Sequence, residues 1–75
     1  MPKLPQVSGE RLLRALRKEG WQIDRTRGSH FILVHAKYPT RTVAVPVHNR
    51  PLKAGTLAAI LKGADITPER LRELL

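Results

Sequence analysis

Apolar and polar positions alternate along this chain with a period that changes from helical to extended and back to helical. Near the N-terminus, Leu12, Leu13 and Leu16 are spaced to share one side of a helix, with charged residues on the other side. Ser8 can cap the backbone at the start of this stretch, and Gly20 can end it. The pattern predicts a first helix over residues 9–19.

Two extended segments follow, joined by the short turn Gly28-Ser29. Trp21, Ile23, Arg25 and Arg27 occupy alternate positions over residues 21–27, which is the period of a strand with an apolar start and a basic end. Residues 30–35 predict a second strand. Because its apolar run over residues 31–34 is unbroken, we expect both faces of this strand to be at least partly covered.

A third strand is predicted over residues 41–47, after a tight connection at residues 38–40. One of its faces is formed by three valines, Val43, Val45 and Val47. Pro46 has no N–H to donate to a neighbouring strand. We therefore expect the third strand to lie at an edge of the sheet.

The C-terminal part of the chain predicts two more helices. The first covers residues 53–62, ends at Gly63 and has an apolar stripe made of Ala54, Leu57, Ala58 and Leu61. The second lies within residues 66–75, where Thr67 is the cap and Pro68 the first helical residue. This order of elements predicts a small α+β sandwich, a three-stranded antiparallel sheet with helices on one face.

The length of 75 residues is sufficient for one hydrophobic core. We therefore expect a single domain over residues 1–75, with an N-terminal extension at 1–7 and a short terminal helix at 66–75. The sequence has no cysteine, no apolar run long enough to span a membrane and no apolar stretch typical of a signal peptide. These features favour a protein that stays in a reducing cytoplasm, without contact with a membrane.

Basic residues dominate the middle of the chain. The sequence has 14 Lys and Arg against 6 Asp and Glu, a net charge of +8, and no carboxylate between Arg25 and Ala64. That stretch contains seven cationic side chains: Arg25, Arg27, Lys37, Arg41, Arg50, Lys53 and Lys62. Because such a field attracts polyanions, nucleic acid is the favoured partner, although a basic surface can also serve solubility alone.

The same stretch limits the chemistry that the protein can perform on a phosphodiester. It lacks the carboxylates that would hold catalytic cations, so we expect no metal and no other cofactor. Without a metal, RNA can be cleaved by its own 2′-hydroxyl if a side chain transfers a proton, which imidazole does near neutral pH. His30, directly after the Gly-Ser turn and near two arginines, is the first candidate, His48 the second and the mid-strand His35 the third.

Five short motifs follow one another in a characteristic order. They are Gly20-Trp21, Arg25-Thr26-Arg27-Gly28-Ser29-His30, Val45-Pro46-Val47-His48, Leu52-Lys53-Ala54-Gly55-Thr56-Leu57 and Ile66-Thr67. Together they resemble the HicA family of toxin–antitoxin mRNA interferases, over about residues 8–75. The resemblance implies a fold similar to a double-stranded-RNA-binding domain, RNA cleavage that inhibits translation, and a cognate HicB antitoxin that covers the active surface.

On the matching positions, the resemblance implies that His30 is the catalytic histidine of an endoribonuclease and that Gly28 and Ser29 form its turn. From charge and resemblance together, we expect RNA contacts from Arg25, Arg27, Gly28, Ser29, Lys37, Arg41, His48 and Lys53. The family often has polar or aromatic residues where this sequence has Phe31, Leu33 and Val34. Exposed apolar residues of this strand, such as Phe31 or Leu33, are therefore candidate contacts for a protein partner.

Two other functions fit the residues. A basic sheet with flanking helices can bind RNA without cleaving it, although the chain offers few aromatic side chains on which bases could stack. A protein-interaction domain could use the same basic surface for an acidic partner, and a nuclease inhibitor would bind there as well. The sequence leaves open whether the chain acts alone or as a homodimer.

Overall fold

The computed structural model describes residues 4–48 and 50–75, so residues 1–3 of the expected N-terminal extension lie outside it. The elements are α1 (Gly9–Lys18), β1 (Gln22–Arg27), β2 (His30–His35), β3 (Tyr38–Pro46), α2 (Ala54–Ala64) and α3 (Pro68–Leu74). The strands form one antiparallel sheet in the order β1-β2-β3. The predicted α+β fold is confirmed, and β3 lies at a sheet edge, as the proline within it indicated.

One core lies between the helices and one face of the sheet. The sheet contributes Leu33, Val43 and Val45, which share a face because Leu33 and Val43 are paired and side chains alternate along a strand. The helices contribute leucines that are almost completely buried: Leu12, Leu16, Leu57, Leu61 and Leu71. The alternate residues of β3, Thr42 and Ala44, are exposed. The second face of the sheet is therefore not covered by any of the three described helices, and we call it the helix-free face.

The predicted caps of α1 and α3 are confirmed. The Ser8 hydroxyl accepts the backbone N–H of Arg11 at 3.2 Å, and the Thr67 hydroxyl accepts that of Arg70 at 3.1 Å. Each bond satisfies an N–H that has no partner within its own helix. Gly20 follows α1 with a φ of 101°, a conformation that favours glycine.

Two predictions about α2 are wrong. The helix continues through Gly63 to Ala64 and is capped by Asp65, whose φ of 58° is tolerated better by aspartate than by most residues. The buried stripe consists of Leu57, Ile60, Leu61 and Ala64, whereas Ala54 and Ala58 are exposed. The buried stripe differs from the predicted one because Ile60, which has a larger side chain than Ala58, faces the core together with Leu57 and Leu61.

The start of β3 is also predicted wrongly. β3 begins at Tyr38 because Ala36 and Lys37 alone join it to β2, and His35 pairs with Tyr38. The regular ladder is interrupted between this pair and the pairing of Val34 with Thr42. The proline at position 39 falls in this interruption, where it need not donate a ladder hydrogen bond.

The C-terminal helix is fixed to α1 by polar contacts as well as by its leucines. The Arg70 guanidinium donates to the Glu19 carboxylate at 2.9 Å and to Glu73 at 3.2 Å. These hydrogen bonds, first of all the one to Glu19, raise the pKa of Arg70 above its ordinary value. Lys18 Nζ also donates to the Leu74 carbonyl at 2.8 Å. In the described part of the chain, no helix is long and apolar enough to cross a membrane.

Candidate active site

The turn between β1 and β2 places His30 at the first position of β2. Of the two turn residues only Gly28 has a positive φ, 59°, which is the pattern of the type II′ turn that joins antiparallel strands. A Cβ at Gly28 would meet no atom within 4 Å, so glycine is favoured here for its backbone conformation and not for space. Arg27 pairs with His30 across the turn, which places both side chains on the helix-free face.

The end of β3 brings His48 to the same corner of the sheet. Pro46 pairs with His30, and the Val47 N–H donates to the Ser29 carbonyl at 2.8 Å. The rings of His30 and His48 have centroids 6.4 Å apart and are nearly perpendicular, at 88°. Both residues are exposed. The structure therefore brings together the first two candidate histidines, and we call this place the histidine corner.

The start of α1 supports the histidine corner from behind. Leu52 N–H donates to the Val7 carbonyl at 2.8 Å, which holds the chain that follows His48. Gly9 packs so closely on the end of β3 that an added Cβ would collide with the Pro46 carbonyl oxygen. We did not predict this contact, although a glycine in the first turn of a helix is unfavourable enough to suggest a packing reason.

A surface cleft of about 620 Å³ opens beside the histidine corner. Its walls include His48, Arg50, Lys53 and Thr56. Lys53 is the residue that precedes α2, and its own side chain makes no capping hydrogen bond to that helix. Two cations and the positive end of the helix dipole therefore make the cleft suitable for an anion such as a phosphate group.

Apart from Lys53 in the cleft, the expected RNA-binding cations fall into two groups. Arg25 and Arg27 lie on β1 beside His30, although Arg25 donates to the Asp24 carboxylate at 2.7 Å and its charge is partly neutralised. Lys37 and Arg41 lie at the opposite end of the sheet, roughly 17 Å along β2 from His30. There the Arg41 guanidinium lies 5.1 Å from the centre of the Tyr38 ring.

His35 has the environment of a packed structural residue. Its Nδ1 accepts the Lys37 N–H at 3.0 Å, so its Nε2 carries the proton and donates to the Glu19 carbonyl at 2.8 Å. The ring also packs against Trp21, with centroids 5.2 Å apart, and against Tyr38 at 5.0 Å. Both ring nitrogens of His35 are therefore occupied, whereas His30 and His48 make no hydrogen bond to any of the residues that the structure describes.

The acidic side chains are mostly engaged in ion pairs. Glu10 pairs with Arg14, Asp24 with Arg25, and Glu19 and Glu73 with Arg70. Over residues 4–48 and 50–75, no three side chains of the metal-binding types lie close enough together to hold a metal ion.

Apolar side chains continue from His30 along the helix-free face. Ile32 and Val34 lie on this face of β2 and are half-buried, and the exposed Ala44 pairs with Ile32. Leu33 lies on the opposite face and is completely buried. The expectation that Leu33 contacts a protein partner is therefore wrong, because strand alternation directs it into the core.

A family model for the HicA toxin of bacterial toxin–antitoxin systems matches residues 9–66. The chain belongs to the HicA toxin family. The matched residues include α1, the whole sheet, both histidines of the corner and α2, whereas α3 follows the matched region. No curated protein matches the sequence. HicA family membership makes this chain the toxin of a toxin–antitoxin pair.

Proposed function

We propose that this HicA toxin is a metal-independent endoribonuclease that cleaves mRNA and so inhibits translation in the cytoplasm, with His30 as a catalytic residue. The observation that carries the proposal is the position of His30. It is exposed at a tight turn, beside Arg27, in a part of the chain without carboxylates. Imidazole is the side chain that serves most often as a general acid or base, and an exposed one is accessible to an RNA substrate.

RNA would approach the helix-free face of the sheet and the adjoining cleft. Arg27 and Lys53 border the two sides of the histidine corner, where they can stabilise the negative charge that develops on the phosphate oxygens. Arg25, Gly28, Ser29 and His48 are grouped around the same corner. More distant stretches of the RNA backbone can contact the remaining expected residues, Lys37 and Arg41.

The reaction requires no group beyond the RNA and the protein side chains. The ribose 2′-hydroxyl attacks the adjacent phosphorus, its proton passes to an imidazole, and the 5′-oxygen leaves with a proton. The products are a strand that ends in a 2′,3′-cyclic phosphate and a strand that begins with a 5′-hydroxyl.

The first test uses the purified toxin on a short RNA and on the same RNA with one 2′-deoxy nucleotide at the cleavage site. We expect cleavage of the all-ribose RNA, resistance of the deoxy-substituted site and unchanged cleavage in the presence of a chelator. Mass spectrometry should find the cyclic phosphate or its hydrolysed form. Cleavage at the deoxy position, or activity abolished by the chelator, would contradict the mechanism. RNA that is bound and never cleaved would favour a non-catalytic RNA-binding module.

A further inference from the structure

The proposed cleavage needs proton transfer at two separate oxygens. The 2′-oxygen must lose a proton as its bond to phosphorus forms, and the 5′-oxygen must gain one as its bond to phosphorus breaks. In a displacement at phosphorus the attacking and leaving oxygens are roughly in line, on opposite sides of the phosphorus atom. One imidazole placed beside the first oxygen therefore does not reach the second, and the site needs another proton carrier.

His48 lies where that second carrier is needed. Its ring centroid is 6.4 Å from that of His30. Each catalytic nitrogen must come within about 3 Å of its oxygen, so two imidazoles that serve the same phosphate must lie within roughly 10 Å of each other. The perpendicular arrangement of the rings, at 88°, also directs their nitrogens differently.

The hydrogen bonds distinguish these two histidines from the third. Both nitrogens of His35 are bound to backbone groups. Within the described chain, neither His30 nor His48 has a hydrogen-bond partner, and both side chains are exposed. Their nitrogens are therefore available to a substrate. His48 is also held by the chain on both sides, because Val47 donates to Ser29 and the loop pairs at Pro51 with Ser8.

We propose that His48 is the second catalytic residue and that it forms an acid–base pair with His30 around the scissile phosphate. This inference rests on the proposed RNA cleavage.

As the 2′-oxygen bonds to phosphorus, its proton moves to one imidazole. As the 5′-oxygen leaves, it takes a proton from the other, which begins as imidazolium. Hydrolysis of the cyclic phosphate by water runs the transfers in reverse and restores both protonation states. The cleft that His48 shares with Arg50 and Lys53 holds the phosphate of the adjoining nucleotide.

The test compares single-turnover cleavage by wild type, His30→Ala, His48→Ala and His48→Lys. The substrates are one RNA and the same RNA with sulfur in place of the bridging 5′-oxygen at the cut. On the natural RNA we expect each alanine variant to be at least about 100-fold slower than wild type. His48→Lys should be similarly slow, because it keeps the charge without a proton that exchanges near neutral pH. A thiolate leaves without protonation, so the sulfur substrate should restore the rate of whichever alanine variant lacks the acid, and of that variant alone.

The control is Lys62→Ala, which removes an exposed cation from the other end of α2 and should cleave as wild type does. Wild-type rates in His48→Ala, full activity in His48→Lys, or failure of the sulfur substrate to rescue either alanine variant would overturn the acid–base pair. In those cases His30→Ala would still be inactive and the proposed function would stand. A wild-type protein that binds the RNA without cleaving it would overturn the proposed function, and the pair with it. Circular dichroism melts of every variant establish that the fold is retained.

Discussion

Because Gly9 has no side chain, the first turn of α1 packs directly against the end of β3. We predict that Gly9→Ala destabilises the protein by about 1–3 kcal/mol, because the new Cβ would collide with the Pro46 carbonyl oxygen. The matched control is Gly55→Ala in α2, where a Cβ meets nothing within 4 Å and helix propensity favours alanine by up to about 1 kcal/mol. Urea denaturation measures both, and equal stability of the two variants would contradict the contact.

At the scale of residues, the sequence predicted the caps and the turn but not the partners of charged side chains. Ser8, Thr67 and Gly28 act through the backbone within three residues of themselves, so local pattern is sufficient to find them. The proximity of His30 to His48 depends on the register of β2 with β3, which the position of Pro46 at the strand end did not specify. The sequence therefore ranked both histidines without indicating that they meet.

At the scale of elements, the spacing of apolar residues predicted the helices and strands that the structure describes. It did not predict which side of α2 is buried, because two sides of that helix carry apolar residues. In α2 both alanine and isoleucine positions fit a helical stripe, and contact with the sheet decides between them. The start of β3 depended on the two-residue turn at Ala36 and Lys37, which carries neither of the usual turn residues, glycine and proline.

The helix α3 lies beyond the residues that match the family model, yet its leucines complete the core. We predict that Leu71→Ala, at a completely buried position, lowers the free energy of unfolding by about 2–5 kcal/mol. In a domain of this size such a loss removes much of the total stability. The comparison is Leu13→Ala, at a half-buried position of α1, which should cost clearly less. Similar midpoints for the two variants in urea would contradict the larger contribution of Leu71 to the core.

At the scale of the whole molecule, the cations Arg27 and Lys53 border the histidine corner, and the apolar side chains of Ile32 and Val34 continue from it along the helix-free face. A net charge of +8 favours association with an acidic protein, and the half-buried Ile32, two residues from His30, offers an apolar contact beside the site. We predict that the protein encoded beside this toxin is acidic and co-purifies with it at physiological salt. Ile32→Asp should weaken that complex by about tenfold or more, since it places a carboxylate opposite an acidic partner.

A circular dichroism melt of the uncomplexed Ile32→Asp variant serves as the control for its fold. If the folded variant still binds the antitoxin with wild-type affinity, the antitoxin does not use this face. Recovery of the toxin alone from its native operon would contradict the paired, acidic partner altogether.

The most direct measurement of the central claim determines two quantities for wild type and His30→Ala on one RNA: the single-turnover cleavage rate and the dissociation constant. Proton transfer depends on one imidazole, whereas affinity is spread over many cations. We predict that the rate falls at least about 100-fold while the dissociation constant changes less than about threefold. A variant that cleaves at the wild-type rate, or that loses cleavage only in proportion to lost binding, would contradict a catalytic role for His30.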